Sequence, residues 1–521
     1  MKLFFPICLF LLATASLSAQ NQAPVVEQLS VQGPIPSGPF TLNFNLSDAE
    51  NDAMEITVQF SNNGGKSYQN LGLDQASGDV GFPVMQGSRS VVCTNLGVSG
   101  IGEYLFRVIA DDRQPFDLQA LVNEVDSNRL RMDLEFVEGI RHRTTGLAHL
   151  NETRDSLTNL FKAAELHVEK KEFVYTNTTG QNLIGTFPGT HAPDSVVIVD
   201  AHYDSVSNAP GADDNGSGTV GMMEIARLLS RYTMKKTVRY IGFDLEEAGL
   251  RGSIDYVTNG IPASEKIAGV FNFEMIGYWS DEPNSQTLPT GFGLLFPLQS
   301  QQVADNQNRG DFITNVGNTA SQPIALLFSN AAQQYVPSLK VITLDVPGTG
   351  SLVPDLRRSD HAPFWDSGRR ALMLTDGANF RNECYHTPGD TLNEKLNFTF
   401  MSNVVKATLA SVAQLAEIQH ADWATTGFSI TSSIPAEVSN TCGVHVFKNE
   451  QGLYIQSRQC HLGQTQVELY DISGGLVLQQ SILLNKGEQV QLPDLKLTPG
   501  LYVLKLTSRH SNFAQKVLLG R

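Results

Sequence analysis

Along the first hundred or so residues, apolar and polar side chains alternate. Phe40-Thr41-Leu42-Asn43-Phe44-Asn45-Leu46 and Met54-Glu55-Ile56-Thr57-Val58-Gln59-Phe60 place every second residue on one face, the period of a strand with one buried side. Ser61-Asn62-Asn63-Gly64-Gly65 supplies a turn, and Tyr104 to Ala110 reads as a further strand. This pattern predicts a β-sandwich over 23–116. From residue 121 the period changes. Leu130 to Ile140 and Thr153 to Leu166 carry apolar residues at helical spacing, and Gly216 to Tyr232 reads as a helix. Ser195 to Ala201, Val238 to Phe243, Lys266 to Phe273 and Ala371 to Leu374 read as buried strands. Strands alternating with helices predict an α/β domain over 121–425, a mixed sheet between helices, whose ligands gather beyond the carboxyl ends of the strands. The segment 432–521 returns to short strands, with Thr465 to Asp471, a Gly474-Gly475 turn and Leu501 to Leu506, and predicts a second β-sandwich.

The first twenty residues stand apart. Lys2 precedes an apolar run from Leu3 to Leu12, and small residues follow to Ala19, the pattern of a secretory signal peptide over 1–20. No later stretch reaches the roughly 18–20 apolar residues that span a bilayer, so no transmembrane segment is expected. A formal net charge of −16 argues against nucleic acid as a partner, since its phosphates would be repelled. Losing Cys8 with the leader leaves Cys93, Cys384, Cys442 and Cys460, which allow two disulfides; Cys442 with Cys460, in one C-terminal segment, is the expected pair.

The polar clusters fall at the strand ends. The first strand closes on Ala201-His202-Tyr203-Asp204, where a histidine can ligate a metal while an acid fixes its orientation, although His-x-Asp is common without that role. Asp213-Asp214 lies between glycines at the opening of a helix, a place where carboxylates also serve as caps. The second strand closes on Asp244-Leu245-Glu246-Glu247. Two anions side by side against an apolar sheet are costly unless cations share the space. One of the pair can bind metal while its neighbour moves protons. Glu274 follows the third strand, and Arg358-Ser359-Asp360-His361 and Cys384-Tyr385-His386 come later.

In order, the segments HYD, GADDNGSG, EEAGLRGS, NFEMIGY, SDHAPFW and YHTPGDT resemble the M28 family of metallopeptidases, the aminopeptidase and glutamate-carboxypeptidase group, over roughly Leu121 to Ala421. The resemblance implies a phosphorylase/hydrolase-like α/β zinc exopeptidase domain, flanked by the two β-sandwiches, with two Zn2+ per chain. Carried over by position, it places His202 and Glu274 on the first zinc and Glu247 and His386 on the second, with Asp214 bridging them. Asp204 then orients His202, Glu246 is the general base and Tyr385 stabilises the oxyanion. Many members carry Asp where this chain has Glu274, a departure of one methylene that still offers oxygen to zinc. His361 resembles a ligand in isolation, yet the resemblance assigns that role to His386, so Asp360 and His361 are expected behind the ligands or in a pocket wall.

Such a site hydrolyses a peptide or protein substrate with water activated between the zincs. An aminopeptidase is the expectation; a carboxypeptidase would need bases for the terminal carboxylate, and Arg251, Arg357, Arg358 and Arg381 are at hand. Phe380 is a candidate pocket residue. A single-zinc glutaminyl cyclase and a non-enzymatic binding protein share the fold, but the full set of ligand types argues against both. The order LYDISGG, TPGLYVLKL, KVLL within 432–521 resembles the C-terminal sorting domain of type IX secretion, which implies contact with secretion machinery and a secreted or cell-surface location. The 23–116 segment resembles fibronectin type III-like modules.

Overall fold

The alternation over Phe40–Ser47 becomes a strand that buries Phe40, Leu42, Phe44 and Leu46 and turns the intervening polar residues outward. The computed structural model describes residues 21–521 apart from 34, 36–38, 95, 97–101, 431–443, 450–451, 459–460, 472–474, 494–499, 509–511 and 520–521. The expected leader over 1–20 and the expected Cys442–Cys460 pair therefore lie outside the described residues. Cys93 and Cys384, which the cysteine count leaves as possible disulfide partners, are free thiols.

In the N-terminal region, one sheet runs in the order Val25–Gln32, Phe40–Ser47, Gly87–Cys93, Ala76–Gly78. A second contains Gly102–Asp111, Met54–Ser61 and Gln69–Asn70. Their inner faces meet through Phe40, Leu42 and Phe44 on one side and Ile56, Val58 and Phe106 on the other. The second sheet gains a strand that alternation in the first segment did not reveal. Ala421–Ile430, which crosses the expected limit at 425, pairs antiparallel along the whole of Gly102–Asp111. It can do so because the long helix Phe398–Ala416 ends at Glu417 in a left-handed conformation, turning the chain back toward that edge. Gln419 then donates to Asp111 at 2.6 Å, and Gln59 donates to the Gly189 and Thr190 carbonyls at 3.1 and 3.0 Å, fastening the sandwich to the α/β region.

The α/β region is built on one eight-stranded mixed sheet, ordered Val341–Val346, Ile313–Asn318, Ala371–Thr375, Lys266–Phe273, Ala192–His202, Lys236–Phe243, Thr178–Phe187, His167–Tyr175. Its four middle strands, from Ala371–Thr375 to Lys236–Phe243, are mutually parallel. Their unbroken apolar runs follow from burial on both faces. Val197 and Val199 face a helical layer containing Leu150, Leu157, Met222 and Met401, whereas Val196 and Ile198 face Tyr256, Phe364 and Trp365. Helix Phe398–Ala416 is capped by Asn397, whose side chain accepts the Phe400 N–H, and buries Phe400, Met401, Val404, Val405 and Thr408 at helical spacing. The C-terminal segment forms a three-stranded and a four-stranded sheet around Ile455, Leu469 and Leu504. Among the described residues no helix is long and apolar enough to cross a membrane.

Candidate active site

Three of the four parallel strands deliver polar residues to one edge. Ala192–His202 ends on His202 itself, Lys236–Phe243 runs into Asp244 to Glu247, and Lys266–Phe273 is followed by Glu274. Their side chains gather into two triads, His202–Glu246–Glu274 and Asp214–Glu247–His386, the ligand atoms of each lying within 4.8 Å of one another. Asp214 joins them: its Oδ1 is 3.5 Å from His202 Nε2 and its Oδ2 is 3.0 Å from His386 Nε2. Glu274 Oε2 and Glu246 Oε2 lie 3.4 and 3.9 Å from His202 Nε2, and Glu247 Oε2 lies 3.2 Å from His386 Nε2.

The loops that hold these residues depart from easy backbone geometry. Leu245, Met275 and His386 have φ of 55°, 58° and 59°, left-handed values that cost a non-glycine residue roughly 1–2 kcal/mol each. Each flanks or is a member of a triad, where the tertiary structure holds a conformation the local sequence disfavours. Gly211 (φ 64°) opens the turn to Asp214, and a Cβ there would fall 2.3 Å from the Asp214 carbonyl oxygen.

Asp204 does more than sit behind His202. Its Oδ1 is 3.5 Å from His202 Nδ1 and accepts the Glu246 N–H at 3.1 Å, while its Oδ2 accepts the Glu247 N–H at 3.3 Å. One carboxylate thus sets the ring and the adjoining glutamate pair together. Four residues that the sequence reading left without a role perform similar work. Asp390 accepts the Asp213 and Asp214 N–H groups on its two oxygens, both at 3.0 Å. Ser359 donates to Glu274 Oε2 at 2.7 Å. Asn215 accepts the Met275 N–H at 3.1 Å. Arg141, fully buried, donates to the Tyr203, Pro210 and Gly211 carbonyls at 2.7, 2.7 and 2.8 Å, tying the chain after His202 to the chain before Asp214. Asp390 and Ser359 stand inside the quoted motifs, so their proximity to the site was visible; Arg141 carried no such signal.

Asp360 and His361 do not join either triad. His361 hydrogen-bonds the Leu356 carbonyl through Nε2 at 3.0 Å and packs edge-on to Trp365, with ring centroids 4.4 Å apart. Burial pushes its pKa down to about 3, so it is neutral. Burial pushes the Asp360 carboxyl up to about 7, opposed by the charge of His202. Tyr385 stacks on His386 at 3.8 Å and its hydroxyl accepts from Arg358 Nη2 at 2.8 Å.

The electrostatics call for cations. Burial raises the Glu246 carboxyl well above its ordinary value, with His202 opposing and the charges of Glu274 and Glu247 adding. Burial likewise pushes Glu247 up to about 7, with the charge of Asp214 adding. Burial would lower His386, but the close carboxylates of Asp214 and Glu247 overcome it and push the imidazole up to about 10. His202 Nε2, Asp214 Oδ2, Glu247 Oε1 and His386 Nε2 are buried without a partner in hydrogen-bond geometry, an expensive state for converging polar atoms that a metal would relieve. The donor set, two imidazoles and carboxylates, suits zinc. Beside Glu274 and Tyr385 opens an apolar cavity walled by Leu288, Phe292, Phe312, Ile342, Met373 and Phe380.

Comparison with known proteins agrees with this chemistry. Residues 182–412 match the sequence model of Peptidase family M28, and residues 436–519 match that of the Secretion system C-terminal sorting domain. The chain is 31% identical over 277 residues to the uncharacterized protein YfbL of Escherichia coli (strain K12), covering 50% of this chain and 79% of that protein. It is also 31% identical over 223 residues to Aminopeptidase YwaD of Bacillus subtilis (strain 168), covering 42% of this chain and 41% of that protein. A solved zinc aminopeptidase from Bacillus subtilis, BSAP, is similar at 26% identity with a TM-score of 0.35, covering 47% of this chain and 52% of that one. The chain thus spans about half, or less, of the length of these two aminopeptidases.

Proposed function

The chain belongs to peptidase family M28, and from that premise we propose that it is a secreted exopeptidase removing N-terminal residues from peptides, with two zinc ions held at the strand ends. The observation that carries this reading is the placement of Asp214, whose two oxygens face His202 and His386 and so join two ligand clusters into one centre. His202, Glu274 and Asp214 would hold one ion, and Asp214, Glu247 and His386 the other. Zinc in such a centre acidifies water and polarises a carbonyl. Glu246 makes no side-chain hydrogen bond among the described residues and stands 3.9 Å from His202 Nε2, which leaves it able to take a proton from water and return it to the leaving amine. Tyr385 accepts a hydrogen bond from Arg358, so its own proton is available to the developing oxyanion. Glu274, longer by a methylene than the family's usual Asp, is steadied by Ser359.

The apolar cavity beside Glu274 suits a large apolar first side chain. Three of the four arginines available to a carboxypeptidase are already engaged. Arg357 pairs with Asp366 at 2.7 Å, Arg358 bonds Tyr385 and Asn379, and Arg381 bonds Gln286 at 2.7 Å and the Tyr278 carbonyl at 3.1 Å. Two-sided Asp214 favours a two-metal hydrolase over a single-zinc cyclase. The match over 436–519 supports export through a sorting signal, and the division into 23–116, 121–425 and 432–521 belongs to the same proposal.

The test is zinc content and hydrolysis of aminoacyl-p-nitroanilides measured on one preparation, with leucyl and phenylalanyl substrates expected to lead. Two zincs per chain and activity removed by a chelator are the expected result. One zinc with cyclisation of N-terminal glutamine would move the assignment to a cyclase, cleavage of N-blocked peptides to a carboxypeptidase, and absence of bound metal would sink the mechanism.

A further inference from the structure

The centre has two open sides of opposite character. Beside Glu274 lies the apolar cavity. Beside Glu247 lies a cleft lined by His142, Arg143, Asp204, Ser207, Glu247 and Ala248. Its wall holds a donor that lacks an acceptor. Arg143 Nη1 is buried and has no hydrogen-bond partner. The Arg143 guanidinium lies 5.6 Å from the centre of the Tyr175 ring, and the Arg251 guanidinium lies 4.5 Å from the same ring. Arg251 gives its Nε–H to the Ala248 carbonyl at 3.1 Å. Among the described residues neither guanidinium has an ion-pair partner, although nearby Arg154 is bound to Asp244. His142 stands in the same wall, with its Nδ1 held by Thr144 and Thr145, whose hydroxyls lie 3.0 and 3.2 Å away.

Two guanidiniums over one tyrosine ring, without ion-pair partners among the described residues in a chain with 53 acidic against 37 basic residues, form a cationic platform beside an acid-rich centre. Planar guanidinium forks match a carboxylate in geometry and charge. An amine would be repelled there, so the free N-terminus of a substrate has to lie elsewhere.

We propose that Arg143 in the wall of this cleft, with Arg251 beside it across the Tyr175 ring and bonded to the cleft residue Ala248, forms a carboxylate-binding subsite for the leaving part of the substrate. The peptide crosses the centre with its first side chain in the apolar cavity and the next residue over Glu247 toward Arg143. The inference rests on the exopeptidase reading of the adjoining centre. The carboxylate has two sources, the C-terminus of a di- or tripeptide or an Asp or Glu side chain just beyond the scissile bond.

The test uses the zinc-loaded full chain with Leu-Gly, Leu-Asp-amide and Leu-Gly-amide. A carboxylate-bearing substrate should exceed Leu-Gly-amide in kcat/KM by about tenfold or more. Arg143→Gln and, separately, Arg251→Gln should bring that ratio toward one, while Arg143→Lys retains part of it. Preference for Leu-Gly alone assigns the subsite to the peptide C-terminus; preference for Leu-Asp-amide assigns it to an acidic side chain. The same three ligands are then bound to chelator-treated protein by calorimetry. Retained preference in binding with no hydrolysis of any of them would overturn the exopeptidase reading and leave the subsite standing. A wild-type ratio near one in both measurements, or a ratio that survives both Gln substitutions, overturns the subsite.

Discussion

Around His202, each side chain of the cluster is almost sealed: His202, Glu274 and Glu246 keep 1, 7 and 10% of their side-chain surface. Around His386, the carboxylates of Asp214 and Glu247 are equally buried at 4 and 9%, but the imidazole keeps 36% and stands on a loop. The first cluster is anchored by strand ends and the buried Ser359; in the second, Asp390 grips the turn that carries Asp214, and Asp204 holds the Glu247 N–H. Asp214 therefore joins a sealed half to a more accessible half. On the proposed reading, metal exchanges through the accessible half and Glu246 moves protons in the sealed one.

The largest expected effect is on the sealed half. Glu246→Gln should keep both zincs, measured by metal analysis, and lower kcat by about 10²–10⁴, the usual contribution of a general base. Lost metal in that variant would mean that Glu246 is a ligand and the division of labour between the halves is drawn in the wrong place. Next, Asp390→Asn should weaken zinc binding by about 10–100-fold, the typical cost of removing a group that orients metal ligands, read by competition with a chromogenic chelator. Ser359→Ala should produce a smaller loss, because Glu274 is also fixed by its strand end. Equal losses would remove the contrast between a strand-built and a loop-built half.

The smallest effect is a pH dependence in chelator-treated protein. The folded pKa of His386, about 10, lies above the ordinary 6.5, so protonation contributes stability that is fully present below 6.5 and lost as pH rises through about 10. The raised Glu247 carboxyl has the same sign, since the fold then holds more protons than the unfolded chain. The midpoint of thermal unfolding should accordingly fall between pH 6 and pH 10, and less so in His386→Gln. Zinc, which must displace these protons, should bind more tightly over the same range. An unfolding midpoint that rises with pH would contradict the charge state described for the accessible half.

Much of this molecule is determined along the chain. The period-2 runs at Phe40–Ser47 and Met54–Ser61, and the doubly apolar strand around Ser195 to Ala201, carry their own burial pattern, because backbone pleating alone decides which side chains share a face. The candidate ligands are legible for a related reason: two carboxylates side by side just past a buried strand are costly unless cations share the space. What the chain does not carry is distance. That Ala421–Ile430 completes the N-terminal sheet depends on a helix end and a sheet edge more than three hundred residues apart in sequence. That Arg141 braces the two loops of the centre, and that Arg143 and Arg251 meet on Tyr175, depends on loops whose local sequence permits many conformations. Side-chain chemistry and strand period are local properties, fixed residue by residue; the left-handed turns at Leu245, Met275 and His386, and the convergence of two triads on Asp214, exist because packing of the whole sheet compels them.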